Sequence, residues 1–235
     1  MNANHSFIKG LRDGIPIGLG YFSVSITFGM MAASFGIPTW AAVLISFTNL
    51  TSAGQFAGIS LMASCAPFIE IALTQLVINI RYALMSLSLS QKADSTFTLP
   101  HRLLASHFIT DEIFAVAAGQ NSSINPFYIY GLAVIPVLGW TSGTFVGAAA
   151  SAFLPEIIQR SLGIVIYGMF IAVIIPPAKK NHSIWLVLSA AVLLSCAFKW
   201  LPLFAFISEG FSIMICSIAA AALGAALFPV KEAEQ

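Results

Sequence analysis

The chain has 235 residues, of which 58% are hydrophobic and 8% charged, with a net charge of +1. A soluble domain carries roughly 25% charged residues, so this chain lacks the charge to cover a water-facing surface, and its elements must face lipid. The near-neutral balance also excludes a basic face for nucleic acid and an acidic tail.

Lys9 and Arg12 precede the first apolar stretch, as in a secretory signal, but the stretch is long and no polar domain follows it. It reads as the first membrane helix and not as a cleaved peptide. A spanning helix needs about 20 mainly apolar residues. On that ruler eight segments follow in order, at about 14–36, 39–63, 66–90, 102–120, 126–152, 157–177, 183–202 and 208–229. The expected fold is an all-α integral membrane protein forming a single transmembrane domain over residues 1–235. Cys65, Cys196 and Cys216 lie in apolar surroundings without a CxxC pair, and read as small buried residues and not as a disulfide framework.

Cytoplasmic loops carry the Lys and Arg of a membrane protein. If all eight segments cross, the basic residues scatter to both sides. If the second and sixth are broken or re-entrant, Lys9, Arg12, Lys92, Arg102, Arg160, Lys179, Lys180 and Lys231 gather on one side and Lys199 alone falls on the other. That arrangement predicts two inverted halves, about 10–120 and 126–229. Weak self-similarity supports it: Ile15-Pro16 with Ala33-Ser34 through Pro38 resembles Ile135-Pro136 with Ala150-Ser151 through Pro155. Inverted repeats with interrupted helices are a recurring transporter plan.

The most polar stretch inside an apolar segment is Thr48 to Gly58, which includes Asn49, Thr51, Ser52, Gly54 and Gln55. It reads either as a helix break or as a close contact between helices. Non-helical backbone survives at membrane depth only when buried in protein or lining a cavity. A break centred on Thr51–Gln55 offers the N-terminus of a half-helix to a carboxylate.

Gln75, Asn79, Arg81 and Tyr82 form a second cluster, in the third segment, and His107, Asp111 and Glu112 form a third, in the fourth. Ionisable groups inside a membrane face a partner or a wet cavity. Arg81 lies 15 residues before Thr96 and Asp111 lies 15 after it, so two antiparallel flanks bring them to one depth. An ion pair of Arg81 with Asp111 or Glu112 follows, either structural or part of a site. The remaining acid suits proton coupling. His107 precedes Asp111 by one helical turn and faces the same way, as a relay or as a structural residue. Gly139, Gly143 and Gly147 space a close helix contact. Signatures of metal, nucleotide or thiol chemistry are absent, and Gly58-Ile59-Ser60 carries only the skeleton of an intramembrane serine protease motif. The chain therefore reads as no enzyme, with no cofactor.

Four stretches in order carry a resemblance: Gly14-Ile15-Pro16-Ile17-Gly18 with Phe28-Gly29, then Thr51 to Ala57, then Asn79-Ile80-Arg81-Tyr82 to Met85, then Asp111-Glu112-x-Phe114-Ala115. The chain resembles the AzlC family of branched-chain amino acid permeases. It departs from the family pattern at Gly54, which separates Ala53 from Gln55, and at Tyr82, where a His is frequent. The resemblance implies export of valine, leucine, isoleucine or a similar residue, a small AzlD-type membrane subunit as partner, and the bacterial inner membrane.

The expected mechanism is alternating access. Backbone N–H groups near Asn49 and Gly54, with Thr51, Ser52 and Gln55, would hold the substrate carboxylate, joined by Asn79 and Arg81. Asp111 or Glu112 would hold the ammonium or a proton, with His107 beside them, and Phe56 would line the side-chain pocket. A channel or carrier for another small solute, and a scaffold subunit that transports nothing, are the alternatives.

Overall fold

The computed structural model describes residues 3–151, 153, 171, 175, 178–179, 181–204 and 206–228. The sixth expected segment, with Arg160, falls outside them apart from two residues, as do Pro155, Lys180 and Lys231. Among the described residues the regular structure is helical: α1 (Ala3–Ser34), α2 (Thr39–Thr48), α3 (Ser52–Ala63), α4 (Phe68–Ser90), α5 (Leu99–His107), α6 (Asp111–Ala118), α7 (Pro126–Ala150), α8 (His182–Trp200) and α9 (Glu209–Leu227). Five of these helices, α1, α4, α7, α8 and α9, are long and apolar enough to cross a membrane. The chain is an all-α, multi-pass membrane protein. The second and fourth expected segments are each two short helices and not one.

The chain forms two compact units, Met1–Phe56 with Asn79–Ile166, and Ala57–Ile78 with Tyr167–Gln235. In the first, α1 lies along α7 in the same direction. Gly10 meets α7 at Tyr128 and Leu132, Gly18 meets it at Ile135, and Gly29 at Thr144 and Ala148. Small residues let the two backbones touch, which is how helices pack where no hydrophobic force drives them together. This parallel pairing corrects the expectation that the first and fifth segments belong to inverted halves. α1 ends at Gly36, whose φ of 77° suits glycine alone, with Ile37 N–H bonded to Ala32 O at 3.0 Å. Pro38 then blocks continuation.

Both short-helix pairs turn back, an arrangement that leaves α1 and α7 parallel. α2 runs inward along α7, with Ser46 at Thr144 and Leu50 packed on Val137 and Trp140. The start of α3 returns, with Gln55 at Trp140 and Phe56 against Phe28. From the other end, α5 starts with His101 beside Phe127 and Tyr130. α6 returns to bring Gln120 to the hydroxyl of Tyr128. Each arm of 8 to 12 residues spans roughly 12–18 Å, about half of a 30 Å hydrocarbon core. The tips, Asn49–Thr51 and Phe108–Thr110, therefore meet at mid-depth, where Phe108 packs against the Leu50 cluster.

In the second unit, α8 packs along α9, with Val187 against Gly224. Glu70, in the first turn of α4, is 4% exposed and accepts hydrogen bonds from Ser208 Oγ at 2.5 Å and Gly210 N–H at 2.9 Å. A carboxylate at the first turn of α9 meets the positive end of its dipole, which accounts for a buried charge there.

Candidate substrate site between two helical hairpins

A cavity of about 210 Å³ lies between the hairpin tips. Thr48, Asn49, Leu50 and Thr51 line it from the first hairpin, Ser106, His107 and Ile109 from the second, and Asn79 and Tyr82 from α4. Asn49 is extended backbone at the end of α2, which turns the chain. Its Oδ1 accepts from Thr51 N–H at 3.4 Å. Thr51 Oγ1 donates to Asn79 Oδ1 at 2.7 Å and accepts from Gly54 N–H at 3.3 Å, capping α3. Breaking a helix at this depth leaves polar backbone ends that only protein or a wet cavity satisfies.

Beside the cavity, Arg81 Nη1 lies 2.6 Å from Asp111 Oδ2. This is the ion pair among the described residues. The guanidinium also sits 5.0 Å over the Tyr82 ring, and its Nη2 reaches the Tyr82 hydroxyl at 3.3 Å. Its Nε is buried without an acceptor. Thr110 caps α6, accepting from Ile113 N–H, and Asp111 and Glu112 occupy the first turn of that helix, where acidic residues are favoured.

Residues 16–154 match the family described as AzlC protein. The chain belongs to the AzlC family. The matched span contains most of α1, both hairpins and α7, and with them every residue that lines the cavity. An uncharacterized membrane protein of Archaeoglobus fulgidus is 32% identical over 181 residues, 75% of this chain and 78% of that one. The inner membrane protein YgaZ of Escherichia coli K12 is 24% identical over 186 residues, 76% of each chain. An uncharacterized membrane protein of Helicobacter pylori J99 is 26% identical over 199 residues, covering 80% and 86%. No solved structure matches the chain.

Within this AzlC chain, Asn49, Thr51, Asn79 and His107 line the cavity, and Arg81 pairs with Asp111, one of the two acids that the loop arithmetic brought to its depth. Three expectations are corrected. The first break lies at Asn49–Thr51, so Ser52 and Gly54 are already helical and Gln55 is not a free ligand. Gln55 is 1% exposed, accepts from Trp140 Nε1 at 2.6 Å and donates to Ser46 Oγ at 3.3 Å. Phe56 packs edge-on against Phe28, with ring centres 5.4 Å apart, so it lines no substrate pocket. His107 and Asp111 do not share a helical face, because the chain turns between them at residues 108–110.

Sequence reasoning also missed Tyr21, Ser106, Thr110 and Trp140. The Tyr21 hydroxyl lies 2.5 Å from Glu112 Oε2 and 2.7 Å from Thr110 Oγ1, and its ring meets Trp140 edge-on at 5.3 Å. One signal was available: Thr110 followed by two acids is a helix-start pattern inside an apolar run.

Proposed function

We propose that this AzlC family chain is a secondary transporter that exports branched-chain or similar small hydrophobic amino acids by alternating access. The observation that carries the reading is the cavity where two re-entrant hairpins, entering from opposite ends, present polar tips to each other. A site at which opposed elements meet at mid-depth can open to either side as one hairpin or the other moves. At about 210 Å³ it lies below the range of roughly 300–1,000 Å³ for drug-sized ligands, a size suited to a single amino acid.

The substrate carboxylate is assigned to Thr51, the start of α3 and the Nε side of Arg81. The ammonium is assigned to Asp111. An apolar groove of about 420 Å³ shares Ser106 and Ile109 with the cavity and continues past Leu87, Leu89 and Leu103 to Phe97 and Arg102. Aliphatic side chains gain about 25 cal/mol per Å² on entering such a path, whereas charged side chains lose hydration. The four basic residues Lys9, Arg12, Lys92 and Arg102 gather at that end of the first unit: Lys9 Nζ bonds Gln120 at 2.5 Å, and Lys92 reaches the backbone at Ala118 and Gln120. The positive-inside rule assigns that end to the cytoplasm. The reading includes a bacterial inner membrane, an AzlD-type small subunit as partner and no catalytic step.

Export of labelled valine from cells expressing Thr51→Val or Arg81→Ala at wild-type levels tests the assignment. Both variants are expected to lose export. Wild-type export by both would refute it.

A further inference from the structure

Tyr21 joins two parts of the site that share no direct hydrogen bond. Its hydroxyl sits between Glu112 Oε2 at 2.5 Å and Thr110 Oγ1 at 2.7 Å, at the tip of the second hairpin. Its ring meets Trp140 edge-on. The Trp140 indole N–H holds Gln55 Oε1 at 2.6 Å, Gln55 Nε2 reaches Ser46 Oγ, and Ser46 Oγ meets Thr144 Oγ1 at 2.7 Å. Gln55, Ser46, Thr144 and Trp140 are each at most 1% exposed. A continuous line of contacts thus runs from one carboxylate to both arms of the other hairpin near its tip, through α1 and α7.

The two acids at the second tip differ in their partners. Asp111 has its charge matched by Arg81 at 2.6 Å. Glu112 is met by a neutral phenol. Its other side is not covered by protein. The ionisable groups that meet it are Tyr21 from α1 and Asp111 beside it, and Arg81 of α4 lies between Asp111 and the Tyr82 ring.

We infer that Glu112 is the carboxylate that carries the coupling proton, and that Tyr21 is a positioning residue that transmits its charge state to both hairpins. The inference rests on the transport reading above. A phenol has one proton to give. With Glu112 ionised, Tyr21 donates to it and accepts from Thr110. When a proton from the aqueous phase binds Glu112, the carboxylic acid becomes the donor and Tyr21 Oη its acceptor. The Tyr21 proton must then turn to Thr110 Oγ1, and the Thr110 hydroxyl loses its acceptor. Both bonds reverse direction, and the charge-assisted bond that held the second tip to α1 becomes a weaker neutral one. Return of the proton to water restores the first arrangement, so no other bond is made or broken.

The test uses the full chain, with any subunit that copurifies, in proteoliposomes loaded with labelled valine. Two rates are read: valine–valine exchange without a gradient, and valine efflux under an acid-outside gradient. The wild type is expected to show exchange and to have efflux stimulated by the gradient. Tyr21→Phe keeps the ring on Trp140 and is expected to keep exchange while losing the stimulation. Glu112→Gln is expected to do the same. Stimulation retained by either variant overturns the inference, as does loss of exchange together with stimulation, which would mark a merely structural role. Wild-type exchange without any stimulation overturns the coupling but leaves the transport reading standing. Absence of wild-type exchange overturns the transport reading itself.

Discussion

Trp140 donates its indole N–H to Gln55 Oε1 across 2.6 Å, and this bond fastens the start of α3 to the middle of α7. Gln55 is 1% exposed, so removing the donor leaves its carbonyl buried and unmatched. Trp140→Phe is expected to lower stability by about 1–3 kcal/mol, read as a fall in the thermal midpoint in detergent. Gln55→Met removes the amide itself. The double variant should therefore lose less than the two single losses together, with a coupling of about 0.5–3 kcal/mol. Strict additivity would show that the bond contributes nothing.

The parallel contact of α1 and α7 makes a second prediction from two glycines two residues apart. A Cβ at Gly18 would lie 2.7 Å from the carbonyl oxygen of Ile135, and backbone cannot give way. Gly18→Ala is expected to destabilise by about 1–3 kcal/mol, as overpacking does. A Cβ at Gly20 meets nothing within 4 Å. Gly20→Ala is expected to stabilise by about 0.5–1 kcal/mol, since alanine restricts the unfolded chain and favours helix. Equal effects at the two positions would contradict the packing described.

These contacts also mark the limit of what the amino-acid order reveals. The break before α3 was legible because Thr48 to Gly58 is polar within an apolar segment, yet it was placed a few residues late. Thr51 acts as a cap, so the polar residues after it are helical. The second break was missed although Ser106 to Glu112 is also polar, because its charged groups were read as membrane-buried partners and not as the start of a new helix capped by Thr110. Counting from the loop brought Arg81 to the depth of Asp111 and Glu112 without choosing between them, and it succeeded although the second flank is broken, because Asp111 stands at the tip where α5 has reached that depth. Gln55 and Phe56 were misread for a different reason. Which face of a three-turn helix turns inward is decided by neighbours distant in sequence, here Trp140 and Phe28. Tyr21 and Trp140 looked like ordinary membrane aromatics until the fold set them between the hairpins.

Arg81 and Asp111 are 43% and 45% exposed, so their attraction is screened and adds little to stability. Arg81→Gln is expected to move the thermal midpoint little while abolishing valine export. Arg81→Lys keeps the charge but loses the planar fork and its Nε donor. Loss of one charge-assisted hydrogen bond to the carboxylate is expected to raise the apparent KM for valine roughly tenfold or more, with a smaller change in maximal rate. A large fall in the midpoint for either variant would mean that the pair is structural and not part of the site.

The hairpin topology predicts which loops share a side. The start of α1, the turn after α4 and the turn before α7 lie together, as Lys9, Lys92 and Gln120 are bonded there. The turn after α1 lies at the far end, where α2 begins. A labelling background needs Cys65, Cys196 and Cys216 replaced. Cys65 has a φ of 55°, so Cys65→Gly relieves a left-handed backbone instead of adding strain. On that background, a cysteine at Phe35 is expected to react with a membrane-impermeant reagent added to intact cells. One at Thr96 or Ser122 should react only after the membrane is opened. If both hairpins crossed instead of turning back, α1 and α7 would still run parallel, but α4 would run the other way and Thr96 would be labelled from outside. Outside labelling at Thr96 with inside labelling at Ser122 would therefore exclude the re-entrant arrangement and, with it, the meeting of tips on which the cavity depends.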